Sequence, residues 1–115
     1  MIENFGFSGA QICEARLGPR RELSLAIEIW PKGKHGFGGG PVVTILLGAI
    51  ANYEEVRRFF TAAGPPFEEL HYLRYVIKPA PGRHVIEMEF DRTGNRVRIV
   101  AGKVSLSEMK TEASG

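Results

Sequence analysis

The clearest alternation of apolar and charged residues lies between positions 83 and 106. The apolar residues alternate with glutamates in a first arm and with arginines in a second: Ile86, Met88 and Phe90 against Glu87 and Glu89, then Val97 and Ile99 against Arg96 and Arg98. A period of two is typical of β-strands with one buried face. Residues 91–95 between the arms, DRTGN, tolerate a positive φ and favour a tight turn. The pattern predicts a long β-hairpin whose apolar face needs a cover.

Other segments also have the pattern of strands. Residues 22–30 alternate strictly, and residues 41–50 are apolar almost throughout, which predicts a central strand covered on both faces. Residues 67–77 carry bulky side chains on both sides, and residues 5–15 have a weaker strand pattern. Near the end of the hairpin the apolar positions change from odd to even at Gly102, which predicts a β-bulge there.

A single helix is predicted over residues 53–63. Asn52 stands at the N-cap position, and Glu55 is placed to complete a capping box. The apolar residues fall on one side of this segment, and the sequence Gly-Pro-Pro at 64–66 ends it. A helix with this pattern covers one face of a sheet or plugs one of its ends.

These elements predict a mainly β fold, either an antiparallel β-sandwich or a strongly bent sheet of about six strands, with one short helix. The alternative is an α+β arrangement, a single sheet with the helix on one face. We expect one globular domain over residues 1–106 and a flexible tail over 107–115, because the tail has no apolar period.

The composition narrows the class of protein. With 115 residues, 43% of them hydrophobic, the chain suits one domain, and a net charge of +2 is too small to imply a polyanionic partner. The only cysteine, Cys13, excludes an intrachain disulfide and a cysteine-based zinc site, and a small buried hydrophobe is its ordinary role. No apolar run reaches the length of a membrane helix, and the first residues lack a signal-peptide pattern. We therefore expect a soluble cytoplasmic protein.

The functional prediction is a non-enzymatic protein-binding or scaffolding domain. The bulky segment 67–77 has more apolar residues than one buried face requires, which favours a protein partner or a second copy of the chain. The candidate interface residues are Tyr72, Leu73, Tyr75 and Ile77, together with Trp30 at the end of its strand. No motif is specific enough to carry residues across from a known family, and the residues imply no cofactor.

Two alternatives use other residues. The glycine-rich loop 31–41 is a candidate site for a small ligand or an anion, with charge from Lys32, Lys34 and His35. It lacks the sequence that a Walker loop or a dinucleotide-binding loop requires.

The second alternative is a metal-dependent enzyme at His71 and His84, with a carboxylate such as Glu69 or Glu87. It requires both imidazoles to lie within coordinating reach of one point. Thirteen acidic residues, several of them on strand faces, argue against a nucleic-acid partner.

Overall fold

The structure is a computed structural model that describes residues 7–29 and 42–109. Six strands and one helix are present in these ranges. In chain order they are β1 (Gln11–Gly18), β2 (Glu22–Glu28), β3 (Val42–Ile50), α1 (Tyr53–Ala63), β4 (Leu70–Tyr75), β5 (His84–Phe90) and β6 (Arg96–Met109).

The six strands form one antiparallel sheet in the order β1-β2-β3-β6-β5-β4. The sheet bends so strongly that its two edge strands meet at one end, where the amide of Gly9 donates to the carbonyl of Leu70 and the amide of Leu70 donates to the carbonyl of Ala10, both at 2.8 Å. The edges do not pair along their length, so the sheet is not closed. The prediction of about six antiparallel strands with one helix is confirmed, in the form of a single bent sheet.

The core fills the concave side of this sheet. Alternate residues of β2 and β3 point into it because a strand directs successive side chains to opposite faces, and these residues are Leu23, Leu25 and Ile27 with Val43, Ile45 and Leu47. The central position of β3 is confirmed. Its outer face is not covered within the described residues, however, since Leu46 is 50% exposed there.

In β6 the inward-facing positions change from odd to even numbers at Gly102, as the sequence indicates, but no bulge occurs there. The pairing of β3 with β6 has the same register on both sides of this point, from Gly48 with Lys103 to Ile50 with Ala101. Ala49 has a φ of 51°, and a Cβ built on Gly102 would lie only 3.0 Å from the Cβ of Ala49. Both strands therefore exchange their buried and exposed faces at this point, and neither strand contains an inserted residue.

Helix α1 covers the concave side beside β6. Val56 and Phe60 are buried, and the ring of Phe59 stacks on Phe90 with their centroids 5.5 Å apart. Asn52 precedes the helix as predicted, but its side chain does not cap it. Instead, the Asn52 side chain accepts a hydrogen bond from the backbone amide of Val100 and donates one to the carbonyl of Arg98. It thereby satisfies backbone groups of β6 that lie beyond the end of β3.

Strand β6 continues past the expected end of the domain at Leu106. Ser107, Glu108 and Met109 pair with Thr44, Val43 and Val42. Within the described ranges, no helix has the length and apolarity needed to cross a membrane.

Candidate interaction surface at the β4 edge

Among the described residues, strand β4 pairs with one neighbouring strand, β5. The register of this pair shifts between Leu70 and Tyr72, which inserts His71 as a bulge. Because of the extra residue, Leu70 and Leu73 both point into the core. A strict alternation, as expected from the sequence, would place these two leucines on opposite faces.

Tyr72 and Arg74 lie together on the outer face of β4. The guanidinium of Arg74 lies 4.1 Å from the centroid of the Tyr72 ring, which is a cation–π geometry. The hydroxyl of Tyr72 donates to a carboxylate oxygen of Glu87 on β5 at 2.7 Å, and Arg98 on β6 donates to the other oxygen at 3.2 Å. The outer face of these three strands is therefore linked by directed polar contacts.

These hydrogen bonds shift the pKa values of Glu87 and Tyr72. The hydrogen bond from Tyr72 lowers the pKa of the Glu87 carboxyl, partial burial opposes this effect, and the hydrogen bond from Arg98 lowers the pKa further. The same bond to Glu87 raises the pKa of Tyr72, and burial of the hydroxyl adds to that rise. The Glu87 side chain is only 12% exposed, and each of its carboxylate oxygens accepts a hydrogen bond, one from Tyr72 and one from Arg98.

Two exposed apolar side chains follow β4 directly. Val76 is 37% exposed and Ile77 is 47% exposed, and with Leu46 they are the exposed large hydrophobic residues of the described part of the chain. The amide of Val76 donates to the carbonyl of Val85 at 2.9 Å, so Val76 still lies beside β5. We use the term β4 edge surface for Tyr72, Arg74, Val76 and Ile77.

The structure brings together some of the predicted interface residues. Tyr72 and Ile77 lie on the β4 edge surface, and Tyr75 is half-buried with its hydroxyl 3.4 Å from Nδ1 of His84. Leu73 is only 6% exposed and belongs to the core, because the bulge at His71 turns it inward. Trp30 lies outside the described residues.

The candidate residues of the glycine-rich loop, Lys32, Lys34 and His35, also lie outside the described residues, and this site stays a prediction. A cavity does occur elsewhere on the sheet, on the outer face of β2, β3 and β6.

The two histidines of the metal hypothesis are not brought together. His71 lies at the end of β4 that pairs with Phe90, and its Nδ1 is 3.5 Å from a carboxylate oxygen of Asp91. His84 begins β5 and Phe90 ends it, six steps of about 3.3 Å along the strand, so the two lie about 20 Å apart. In the described ranges no three His, Cys, Asp or Glu side chains are grouped so that they could hold a metal.

Two local features were missed by reasoning from the sequence. Cys13 is exposed at a bulge in β1 between Ile12 and Glu14, so the expectation of a buried thiol was wrong. Glu68 accepts hydrogen bonds from the amides of Arg92 and Thr93 and from the Thr93 hydroxyl, and it thereby holds the turn of the β5–β6 hairpin. A signal for either feature is hard to find in the sequence, because both depend on pairing between distant segments.

Comparisons with protein-family models, with curated proteins and with solved structures each find no match.

Proposed function

We propose that this protein is a non-enzymatic protein-binding domain that associates with a second copy of itself through the β4 edge surface. The observation that carries the proposal is the position of Val76 and Ile77, two exposed apolar side chains that directly continue an edge strand. Edge strands expose backbone groups that can pair with another strand, and adjacent apolar side chains add buried area to such a contact.

The direction of the backbone groups supports pairing at this edge. The bond from the amide of Val76 to the carbonyl of Val85 places these two residues in a hydrogen-bonded pair. Alternate residues of an antiparallel strand direct their amide and carbonyl groups to opposite sides, so those of Arg74 point toward β5 and those of Leu73 point away from it. A strand added beside β4 would meet the backbone of Leu73 first.

The charges of β4 favour one register for two antiparallel copies. Pairing centred on Arg74 would place two guanidinium groups opposite each other, which is unfavourable. Pairing centred on Leu73 places Arg74 of each copy opposite Tyr72 of the other. Leu70 limits the added ladder at one end, because its amide and carbonyl are already bonded to Ala10 and Gly9, and Pro79 limits it at the other.

A cytoplasmic setting belongs to the same proposal. Cys13 is exposed, and a reducing compartment keeps an exposed thiol from forming a disulfide. The self-association proposed here needs no such bond.

The test is the mass in solution by light scattering across a dilution series, for the wild type and for Ile77→Glu. Leu46→Glu is the matched control, because Leu46 is exposed to a similar degree but lies on β3, away from the β4 edge surface. We expect a wild-type dimer, an unchanged dimer for Leu46→Glu, and a dissociation constant raised at least about tenfold for Ile77→Glu, since a charge is then placed in an apolar contact.

Circular dichroism of all three proteins establishes that each is folded. A monomeric wild type at every concentration would exclude self-association. Equal weakening by both substitutions would show that the contact lies elsewhere on the molecule.

A further inference from the structure

A cleft of about 520 Å³ opens on the concave side of the sheet, between residues 13–17 of β1 and residues 60–67 around the end of α1. It exists because α1 lies beside β6 and leaves a gap toward the edge strand β1. The volume lies in the range of roughly 300–1,000 Å³ that is usual for small-molecule sites. None of the residues that line the cleft belongs to the β4 edge surface.

Hydrogen bonds between β1 and the chain around α1 mark the two ends of the cleft. At one end the Tyr53 hydroxyl donates to the carbonyl of Gly18 at 2.9 Å. At the other end the side-chain amide of Gln11 donates to the carbonyl of Phe67, just after the helix. The two walls are therefore held together without a ligand, which lowers the cost of ordering the site when a ligand binds.

Aromatic rings form the floor of the cleft. The rings of Phe60 and Phe67 meet edge to face, with their centroids 6.2 Å apart and 69° between their planes. Both side chains belong to the core, and both also line the cleft. The Phe67 ring lies directly over Gly64, where a Cβ would overlap it. Glycine at position 64 therefore allows the ring to occupy the floor.

The polar groups of the cleft are uncharged or already paired. Glu14 is the charged residue of the lining, and its carboxylate is bonded to Arg16 at 2.8 Å. The Thr61 hydroxyl and the Cys13 thiol also line the cleft. Among the described residues, the part of β1 after Gln11 pairs only with β2, so its free side offers backbone amides and carbonyls for hydrogen bonds.

We infer that this cleft binds a small uncharged aromatic molecule that carries one hydrogen-bonding group. The ring of the ligand lies against Phe60 and Phe67 and extends their edge-to-face cluster. The hydrogen-bonding group meets the Thr61 hydroxyl or the free side of β1. An uncharged molecule is selected because a charged ligand would lose its hydration in the cleft without gaining an ion pair there.

The test is a titration of the ¹⁵N-labelled protein with benzamide, followed by amide chemical shifts. We expect saturable shifts confined to the cleft, at Ala15, Leu17, Thr61 and Gly64. Cyclohexanecarboxamide has the same amide on a saturated ring, and we expect it to bind at least about twofold more weakly, because it lacks the ring contact. Benzoate keeps the ring but is charged, and we expect it to bind at least about fivefold more weakly.

Cys13 supplies a second readout, because it is the only cysteine of the chain and lines the cleft. The contact between Gln11 and Glu69 brings Cys13 to the level of Phe67, where the ring of the ligand is expected. Partial burial, and then the charge of Glu28, raises the pKa of the thiol, so alkylation by iodoacetamide is followed at about pH 9. Bound benzamide should slow the alkylation with the same half-saturation as the amide shifts.

Three variants sharpen the result. Thr61→Trp places a large side chain across the cleft and should weaken benzamide binding at least about tenfold. Ala62→Trp is the matched control, since Ala62 is also exposed on the helix but lies beside Asn95, outside the cleft, and it should change nothing. Phe67→Leu keeps an apolar side chain without the ring and should remove the preference for benzamide over cyclohexanecarboxamide. Circular dichroism establishes that each variant is folded.

Shifts that spread over the whole surface without saturation would overturn the inference, because they would indicate non-specific adsorption. Benzoate or cyclohexanecarboxamide binding as tightly as benzamide would overturn the chemical class of the ligand. Equal affinity of Thr61→Trp and Ala62→Trp, or an unchanged rate of Cys13 alkylation at saturating benzamide, would place the binding outside the cleft and would also overturn the inference.

Discussion

The two edge strands of the sheet, β1 and β4, have the same local irregularity but different surfaces. In the part of the chain that the structure describes, each pairs with one neighbouring strand, and each contains a bulge, at Cys13 in β1 and at His71 in β4. The exposed residues that follow the bulge of β1 are charged, and Glu14 and Arg16 pair with each other in solvent. The chain beyond β4 exposes Val76 and Ile77 instead.

This difference indicates how the two edges are used. Bulges and charges on an edge strand discourage pairing with another sheet, since they interrupt the ladder and would be buried without partners. Strand β1 has both features close together. Strand β4 has the bulge near its start only, and the residues after it are aromatic or apolar except Arg74, whose guanidinium lies over the Tyr72 ring. Tyr72 is itself held from β5 and β6 through Glu87. A second chain is therefore expected to add at β4 and not at β1.

The largest effect is expected where the two edges meet. Leu70 is fully buried, and its backbone forms both hydrogen bonds that join β4 to the segment before β1. We expect Leu70→Ala to lower the free energy of unfolding by about 3 kcal/mol, because it opens a cavity at this junction. Leu17→Ala is the matched control on β1, and it should cost less than about 1.5 kcal/mol, since Leu17 is only partly buried. Chemical denaturation measures both values. Equal losses would mean that the junction is no more tightly packed than the rest of β1.

A smaller loss of stability is expected when the hydroxyl of the tyrosine beside each edge strand is removed. Tyr72 donates to the Glu87 carboxylate beside β4, and Tyr53 donates to the carbonyl of Gly18 at the end of β1 at 2.9 Å. We expect Tyr72→Phe and Tyr53→Phe each to cost about 1 kcal/mol at pH 7, the usual net value of one hydrogen bond. Only the first loss should depend on pH in the acidic range.

The sign of that dependence follows from the lowered pKa of Glu87. A carboxyl whose pKa is lower in the folded state contributes stability above its unfolded pKa of about 4.3, and this contribution is lost as the pH falls through the folded value. Tyr72→Phe removes part of the shift, so the difference from the wild type should be full at pH 7 and should shrink below about pH 4. The Tyr53→Phe difference should stay constant from pH 3 to pH 8. Urea denaturation at several pH values tests this, and parallel curves for the two variants would contradict it.

Much of this architecture could be predicted from the sequence, because the alternation of apolar and polar residues is itself the cause of the strands. The β5–β6 hairpin, β2, β3 and α1 all follow from such patterns. The bulges at Cys13 and His71 could not be predicted in the same way. A bulge depends on the pairing of two strands, and neither residue type requires one.

The same limit applies to the candidate surface. The sequence analysis named Tyr72, Leu73 and Ile77 together as interface residues of one bulky segment. Leu73 belongs to the core instead, because the bulge at His71 breaks the assumed alternation, and the interface role of Tyr72 and Ile77 stays a prediction. Gly102 shows the opposite case. The change of face at this residue was visible in the sequence, but its mechanism was not, because it involves Ala49 on the partner strand.

The smallest effect is expected at the exposed ion pair of β1. The side chains of Arg16 and Glu14 are 73% and 58% exposed, so water and salt screen their attraction. We expect Arg16→Gln to change the free energy of unfolding by less than about 0.5 kcal/mol, and less still in high salt.

If the charges of β1 serve to discourage pairing, their removal should act on association instead. The double substitution Glu14→Gln and Arg16→Gln should then leave unfolding almost unchanged but produce masses larger than a dimer in light scattering, because β1 becomes a second edge able to pair. An unchanged mass would mean that the bulge at Cys13 protects this edge without help from the charges.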